Sequence, residues 1–505
     1  MYDLVIKNGT IIDGTGAAPY QADLAIKEGK IAHIAQSLKC TGSTTVIDAA
    51  GLTVTPGFID SHSHSDRSIL PYPDQKEKLE QGITVSVTGH CGGSQAPKRM
   101  GDTIYKMSDF LREASKVPQG SAAVNLVGHG SIRSAVMANE NRRPTPEEME
   151  QMKELLRDAL ESGAIGMSLG LIYVPSCYSE TEELTEMARV VASYDGLVTA
   201  HIRNEGDFLL ESVEEFIAII KASKAHGVIS HLKAAEKHNW GKVNTALQMI
   251  DEARAEGYDI YCDVYPYCAS STSLIARVLP SQFHPAGTKS AVALLDDPEV
   301  LVPIKAWARE RWKGDLSWIQ ITSCAGHPEY AGKRLHEIAA IRGSEDQLET
   351  AYELIRESNN QVNASFFTMC EEDVERVLSY ERSMICTDSA AACGSTSYHP
   401  RLRASFVRAL SRYVRERGTL TLPEMIRKMT SLPAQVYGLR EKGILAPGYD
   451  ADLCIFDAAR IRDCADFTHC TDKNEGLSYV LVGGEIVVTD GVHNGKRNAG
   501  IYLRS

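Results

Sequence analysis

The feature that most restricts the fold is an alternation of short apolar runs with longer amphipathic stretches through the middle of the sequence. The apolar runs are TVSVTGH (84–90), AAVNLVGHG (122–130), AIGMSLG (164–170), LVTAH (197–201), GVISH (227–231), YDIYCDV (258–264), QVNASFF (361–367) and SMICTDS (383–389). Stretches such as TPEEMEQMKELLRDALESG lie between them and carry apolar residues at helical spacing. Continuously apolar strands that alternate with helices are typical of a parallel sheet covered by helices.

About eight such units predict a (β/α)8 barrel of the TIM type. An open, doubly wound sheet is the competing architecture, and the lack of a G-x-G-x-x-G motif after the first strand weighs against it. The stretch 275–330 breaks the alternation and predicts an insertion. We therefore assign 56–439 to an α/β barrel with an insertion near 275–330.

The two ends of the chain share a different pattern, in which short alternating strands are joined by glycine turns. DLVIKNGTIIDG near the start and LSYVLVGGEIVVTDG near the end are examples. We expect 1–55 and 440–505 to form one small β-sandwich domain. The barrel is then inserted between its two halves in the sequence.

The composition excludes several classes of function. A net charge of −13 over 505 residues argues against nucleic acid or an anionic membrane as a partner. The N-terminal residues lack the basic and apolar regions of a signal peptide, and no run approaches the ~20 apolar residues of a membrane span. Twelve cysteines occur without regular pairing, so we expect a cytoplasmic enzyme with free thiols; a homo-oligomer is left open.

Side chains that bind metals or titrate follow several of the predicted strands. They are His62 and His64 in GFIDSHSHSD, then Cys91, His201, His231 and Asp388. In a barrel these positions converge on the C-terminal rim, where active sites lie. Taken singly, each has a structural alternative: a core histidine, a small buried thiol or a helix cap. Their joint occurrence predicts a Zn²⁺ site suited to hydrolysis of an amide or imide.

These residues resemble the amidohydrolase superfamily, and within it most closely the N-acyl-D-amino acid deacylase (D-aminoacylase) family. The similarity covers nearly the whole chain. The segments that carry it are VTPGFIDSHSHSD, VTGHCGGSQAP, SHLKAAEKHNWGK, DVYPYCASSTSL, CTDS, YHPRLRASFVRAL and GILAPGYDADLCIFD. In VTGHCGGSQAP, Cys91 stands where most members of the superfamily have a carboxylated lysine.

The resemblance implies a function, zinc-dependent hydrolysis of N-acyl-D-amino acids to a carboxylate and a free D-amino acid. It implies a tight zinc site at Cys91, His201 and His231, and a second, weaker metal site at His62, His64 and Asp388, with Cys91 able to bridge. Asp388 is then the general acid and base. The residues that the resemblance places around the substrate are Lys233, Tyr265, Ser271 and Arg401, with Arg401 and Lys233 facing its α-carboxylate.

Two departures from the family pattern and three alternative functions stay open. His90 precedes Cys91 where relatives have asparagine, and the spacing from Asp388 to Arg401 is longer than expected. The same site could act on a cyclic amide, as hydantoinases and dihydroorotases do, or on an N-acetyl sugar. A non-catalytic scaffold of the same fold is the third alternative. Asp60 and Asp66 are interpreted as partners that orient the imidazoles, with a structural capping role equally open.

Overall fold

Parallel and antiparallel strands occupy separate parts of the chain in the computed structural model, which describes residues 1–40, 42–390 and 398–504. Strands β1–β9 are Leu4–Ile11, Tyr20–Lys27, Lys30–Ala35, Thr45–Asp48, Thr53–Pro56, Phe58–Asp60, Ile83–Thr88, Lys98–Met100 and Thr103–Tyr105. Strands β10–β18 are Ala122–Asn125, Val127–Gly128, Gly166–Gly170, Leu197–His201, His226–Ile229, Ile260–Val264, Ser270–Ser273, Ile319–Cys324 and Val362–Phe366. Strands β19–β24 are Ser383–Ile385, Leu453–Phe456, Leu477–Val482, Glu485–Thr489, Val492–His493 and Ile501–Tyr502.

Helices fill most of the connections between the parallel strands. Helices α1–α8 are Lys76–Leu79, Met107–Ala114, His129–Met137, Pro146–Glu161, Thr181–Ser193, Leu209–Ser223, Lys242–Ala255 and Ile275–Val278. Helices α9–α15 are Pro298–Trp312, Leu335–Ile341, Gln347–Glu357, Glu371–Ser379, Arg401–Arg408, Leu422–Met429 and Ser431–Val436. Across the described ranges, none of the helices combines the length and the apolar character that a membrane span requires.

Helix α4 shows how local sequence sets these elements. Thr145 precedes it, and its hydroxyl accepts a hydrogen bond from the Glu148 backbone N–H at 3.2 Å. The Glu148 carboxylate in turn accepts from the Thr145 N–H at 2.8 Å, which completes a capping box, and Pro146 occupies the first helical position. The apolar face of α4 buries Met152 and Leu156 against the main core.

The parallel strands form two sheets, ordered β24-β10-β7-β6 and β11-β12-β13-β14-β15-β19. Every pairing within these two sheets is parallel. The strands predicted at 84–90, 122–130, 164–170, 197–201, 227–231, 258–264 and 383–389 are thereby confirmed as parallel strands. The chain is of the mixed α/β class, and the carboxyl ends of these strands carry the candidate metal ligands.

The predicted strand at 361–367 does not belong to the parallel sheets. Val362–Phe366 pairs antiparallel with both Ser270–Ser273 and Ile319–Cys324 in a separate three-stranded sheet. This sheet and helices α8–α11 enclose their own apolar core. The prediction of 361–367 as a parallel strand is therefore wrong, and the insertion near 275–330 stays a prediction. The error arose because a buried antiparallel strand is as apolar as a parallel one.

Strands from the two chain ends meet in a nine-stranded sheet with the order β23-β22-β21-β20-β5-β1-β2-β3, in which β4 also pairs with β1. The junction is the antiparallel pairing of β20 with β5, where Cys454 lies opposite Thr55. The last strand, β24, is not part of this sheet. It pairs in parallel with β10, with Ile501 opposite Ala123, so the end of the chain contacts the α/β region.

Candidate metal centre

Each candidate ligand lies at or just beyond the carboxyl end of a parallel strand. His62 and His64 follow β6, Cys91 follows β7, His201 ends β13, His231 follows β14 and Asp388 follows β19. Cys91, His231 and Asp388 have backbone φ angles of 56°, 37° and 47°. Left-handed backbone is uncommon for residues other than glycine and is concentrated at functional sites. The strand ends thus turn sharply where these side chains enter the site.

The Cys91 thiol lies at the centre of the histidine cluster. Its Sγ is 3.3 Å from His62 Nε2, 3.7 Å from His201 Nδ1 and 3.5 Å from His231 Nε2. Gly170 permits this approach, because a Cβ at that position would overlap the Cys91 carbonyl oxygen. Burial alone raises the pKa of the Cys91 thiol, but the His62 and His231 imidazoliums lower it well below its usual value. The site therefore favours a thiolate.

His64 and Asp388 form the other side of the cluster. Asp388 Oδ1 is 3.1 Å from His64 Nε2 and 3.4 Å from His62 Nε2. Its second oxygen, Oδ2, accepts a hydrogen bond from Arg401 Nη1 at 2.6 Å. Burial raises the pKa of Asp388, but the Arg401 guanidinium and the His62 imidazolium hold it well below its usual range, so the carboxylate is ionised at neutral pH.

The spacing of these donors fits a metal ion. Tetrahedral zinc, with a Zn–S distance of about 2.3 Å and a Zn–N distance of about 2.0 Å, separates sulfur and nitrogen ligands by about 3.5 Å. The Cys91–His201 and Cys91–His231 separations of 3.7 and 3.5 Å match that value. One donor atom from each of His62, Cys91, His231 and Asp388 also lies within 4.8 Å of the others. Thiolate and imidazole are ligands that zinc prefers.

The four residues predicted to surround the substrate line one cavity of about 1180 Å³ together with the cluster. Arg401 Nη2 donates to the Ser271 carbonyl oxygen at 3.0 Å. The Lys233 ammonium and the Arg401 guanidinium lie 5.6 and 5.3 Å from the centre of the Tyr265 ring. The longer spacing before Arg401 falls on 391–397, outside the described residues.

Two acidic residues of the site were missing from the sequence prediction. Asp263, buried near the end of β15, accepts a hydrogen bond from the His231 backbone N–H at 2.7 Å and lies 3.4 Å from His62 Nδ1. Glu205, four residues after His201, lies 3.0 Å from His231 Nδ1 and ion-pairs with Lys233. Asp263 stands at a strand end like the predicted ligands and could have been found by that signal.

His90 and the two aspartates of the histidine motif have different surroundings. The His90 ring stacks on His62 at 4.0 Å, and neither of its nitrogens has a hydrogen-bond partner among the described residues. Asp60 accepts from Lys78 Nζ and Thr387 Oγ1, both at 2.7 Å, and contacts only the backbone of His62. Asp66 accepts from the Gln95 N–H at 3.1 Å. These contacts favour the structural role for both aspartates.

Comparison with known proteins identifies the family. The profile described as "Amidohydrolase family" matches residues 45–488. The chain belongs to the amidohydrolase family. It is 36% identical to an N-acyl-D-glutamate deacylase of Alcaligenes xylosoxydans xylosoxydans, over 95% of this chain and 93% of that one. A D-aminoacylase of the same organism is 33% identical over 100% and 98% of the two chains.

Solved structures agree with this family. The N-acyl-D-glutamate deacylase of Bordetella bronchiseptica, complexed with zinc and a phosphonate inhibitor, superimposes with a TM-score of 0.85 at 34% identity and covers 99% of both chains. A D-hydantoinase from Thermus sp. matches with a TM-score of 0.60 at 18% identity over 99% of both chains, which supports the fold alone. The resemblance inferred from the sequence is confirmed.

Proposed function

We propose that this chain is a zinc-dependent deacylase, which hydrolyses the amide bond of N-acyl-D-amino acids and releases a carboxylate and a free D-amino acid. The observation that carries the proposal is the cysteine thiol within 3.3–3.7 Å of three imidazoles, in one cavity with two buried cations. Full-length relatives at 33–36% identity are named for N-acyl-D-glutamate and D-amino acid deacylation. The cyclic-amide alternative rests on more distant matches, dihydroorotases at 23–27% identity and the hydantoinase fold at 18% identity.

We assign the tight zinc site to Cys91, His201 and His231. His62, His64 and Asp388 would hold a second, weaker ion, with Cys91 as a bridge. Zinc supplies a Lewis acid that acidifies water and polarises a carbonyl group. A soft, anionic thiolate reduces the positive charge at its zinc, so one functional metal is the expected state. Metal analysis that finds two equally tight and essential ions would refute this.

We assign proton transfer to Asp388. Its ionised carboxylate faces the two histidines and the cavity. There it can accept a proton from the attacking water and return it to the amide nitrogen as the C–N bond breaks. The same group thus acts first as a base and then as an acid.

We assign the substrate α-carboxylate to Arg401, with Lys233 as the second cation and Tyr265 and Ser271 on the same wall. A guanidinium can bind a carboxylate through two parallel hydrogen bonds. Arg401 is paired with Asp388 at 2.6 Å before substrate enters, so binding exchanges one carboxylate for another. That exchange releases Asp388 Oδ2 for proton transfer. When both the α-carboxylate and the acyl carbonyl are held in place, the cavity has room for the side chain of only one enantiomer.

We also propose that the parallel strands close into the predicted barrel. The support is a set of contacts between the segments that follow the first and last of them: Asp388 N–H donates to the His62 carbonyl at 2.9 Å, and Ser63 forms a parallel bridge with Ser389.

Strands from both chain ends pair in the nine-stranded sheet. That 1–55 and 440–505 form a β-sandwich domain stays a prediction. The cytoplasmic location also stays a prediction, consistent with free thiols at all eleven described cysteines.

The test is a substrate screen with metal analysis of the same purified sample. N-acetyl-D- and N-acetyl-L-amino acids are assayed beside dihydroorotate, a hydantoin and an N-acetyl sugar. We expect amine release from the D-amino acid derivatives alone, with zinc bound. Turnover of a cyclic amide without deacylation of any D-amino acid derivative would refute the proposal, and absence of bound metal would favour a scaffold.

A further inference from the structure

The outer nitrogen of His231, Nδ1, lies between two groups with opposite hydrogen-bonding demands. Nε2 of this imidazole lies 3.5 Å from Cys91 Sγ, on the side of the proposed zinc. Nδ1 lies 3.0 Å from Glu205 Oε1 and 2.8 Å from Lys233 Nζ. A histidine binds a metal as the neutral imidazole, which carries one proton, so in that form Nδ1 either donates or accepts, but not both.

Only one of these two choices lets His231 bind a metal. If Nδ1 accepts from the Lys233 ammonium, the ring proton is on Nε2, and the nitrogen beside Cys91 has no lone pair to offer. If Nδ1 donates to Glu205, Nε2 is free to coordinate. The hydrogen bond at the outer nitrogen thus sets the tautomer of a metal-binding histidine.

Glu205 is placed to decide between them. Its side chain is 10% exposed, and it ion-pairs with Lys233 while also contacting His231. An ammonium has no acceptor, so its donors must go to the carboxylate or to the imidazole. The carboxylate is the stronger acceptor, because its negative charge attracts the ammonium and a neutral imidazole has no such charge. Glu205 Oε2 also lies 3.7 Å from His201 Nε2, behind the second histidine of the site.

We propose that Glu205 is a positioning residue of the metal site: its carboxylate accepts hydrogen bonds from both the Lys233 ammonium and His231 Nδ1, and so holds the imidazole in the tautomer that can bind zinc. The inference rests on the proposed zinc site. It gives Lys233 a second role, as the competing donor that makes Glu205 necessary.

Zinc affinity is the direct readout, measured by competition with a chromophoric chelator on metal-free protein and independent of turnover. Glu205→Gln keeps the size of the side chain but weakens its hold on the ammonium. We expect zinc affinity to fall by about 10–100-fold, the usual effect of losing such a partner. The double variant Glu205→Gln/Lys233→Met removes the competing donor as well, and we expect it to recover most of the lost affinity.

Glu215→Gln is the matched control. Glu215 is also a largely buried carboxylate, 16% exposed, and it forms two hydrogen bonds of 2.9 Å with Arg203, between His201 and Glu205 in sequence. It contacts none of the proposed ligands among the described residues, so zinc affinity should stay at the wild-type value. Thermal unfolding of all variants in chelator verifies that each metal-free protein is folded.

The outcomes separate this inference from the proposed function. Wild-type protein that binds no zinc would overturn the proposed function. Zinc-binding wild type with an unchanged Glu205→Gln variant would overturn the inference alone. A double variant that binds zinc as weakly as Glu205→Gln would also overturn it, because a purely structural carboxylate would not be rescued by removing Lys233.

Discussion

Arg401→Met tests whether the buried guanidinium binds the substrate α-carboxylate. Arg401 is 8% exposed and donates to Asp388 at 2.6 Å and to the Ser271 carbonyl at 3.0 Å. Truncating one partner of a buried, hydrogen-bonded charge pair weakens binding by about 2–5 kcal/mol, and each 1.36 kcal/mol is a factor of ten in rate. We therefore expect kcat/KM for an N-acetyl-D-amino acid to fall by about 10²–10⁴-fold.

A substrate lacking the charge isolates this effect. The assay compares an N-acetyl-D-amino acid with its α-carboxamide analogue, and follows acetate release from both. Wild-type enzyme should favour the acid strongly, because only the carboxylate forms a charge-assisted fork with Arg401. Arg401→Met should lose that preference, mainly because its activity toward the acid falls. Arg401→Lys keeps the charge but not the planar fork, so it should retain an intermediate preference.

Arg408→Met is the control for removing an arginine from the same helix. Arg408 pairs with Asp463 at 3.0 Å and donates to the Pro266 carbonyl at 2.8 Å, away from the metal ligands. We expect its acid-to-amide ratio to equal that of the wild type. If Arg401→Met kept the wild-type ratio, with normal zinc content, the assignment of the α-carboxylate to Arg401 would be wrong.

Three further perturbations address proton transfer, stability and pH. Asp388→Asn should lower turnover by about 10²–10⁴-fold, while elemental analysis finds zinc retained at the thiolate site. Lys78→Met should leave the fully buried Asp60 without its cation and lower the free energy of unfolding by about 3–5 kcal/mol in urea titration. The Asp259 hydrogen bond raises the pKa of the half-exposed His226, so its stabilisation, below about 1 kcal/mol, is present below the unfolded-state pKa and is lost as pH rises through the folded-state value. His226→Gln should therefore lower Tm more at pH 6 than at pH 9.

The convergence of the candidate metal ligands could be predicted from the sequence because each follows an apolar strand closely. A parallel sheet brings the carboxyl ends of its strands to one edge, so position along the chain determines position in space. His201 and His231 are one strand–helix unit apart and lie on adjacent strands, β13 and β14, with ring centres 4.4 Å apart. The left-handed backbone at Cys91 and His231 could not have been predicted, since it depends on how the following loops pack.

The residues behind the ligands were harder to find. Glu205 lies in a loop four residues beyond a strand end, and nothing in HIRNEG distinguishes it from a solvated glutamate. Its role depends on Lys233, 28 residues later, reaching the same point. The prediction of 361–367 as a parallel strand failed for a related reason: β18 is as apolar as the parallel strands, and its antiparallel pairing with β16 and β17 is a tertiary property.

Both cations that face the substrate cavity are already paired with an acid, Arg401 with Asp388 and Lys233 with Glu205. In the proposed binding mode the substrate carboxylate takes the Arg401 Nη1 donor from Asp388, and His64, 3.1 Å from the Asp388 carboxylate, can still stabilise it. A neutral substrate cannot make that exchange, and Asp388 Oδ2 stays bound to the guanidinium. In the proposed mechanism the α-carboxylate is thus more than an anchor: its arrival would release the oxygen that accepts the proton, so selectivity for an acid and activation of the base would follow from a single ion pair.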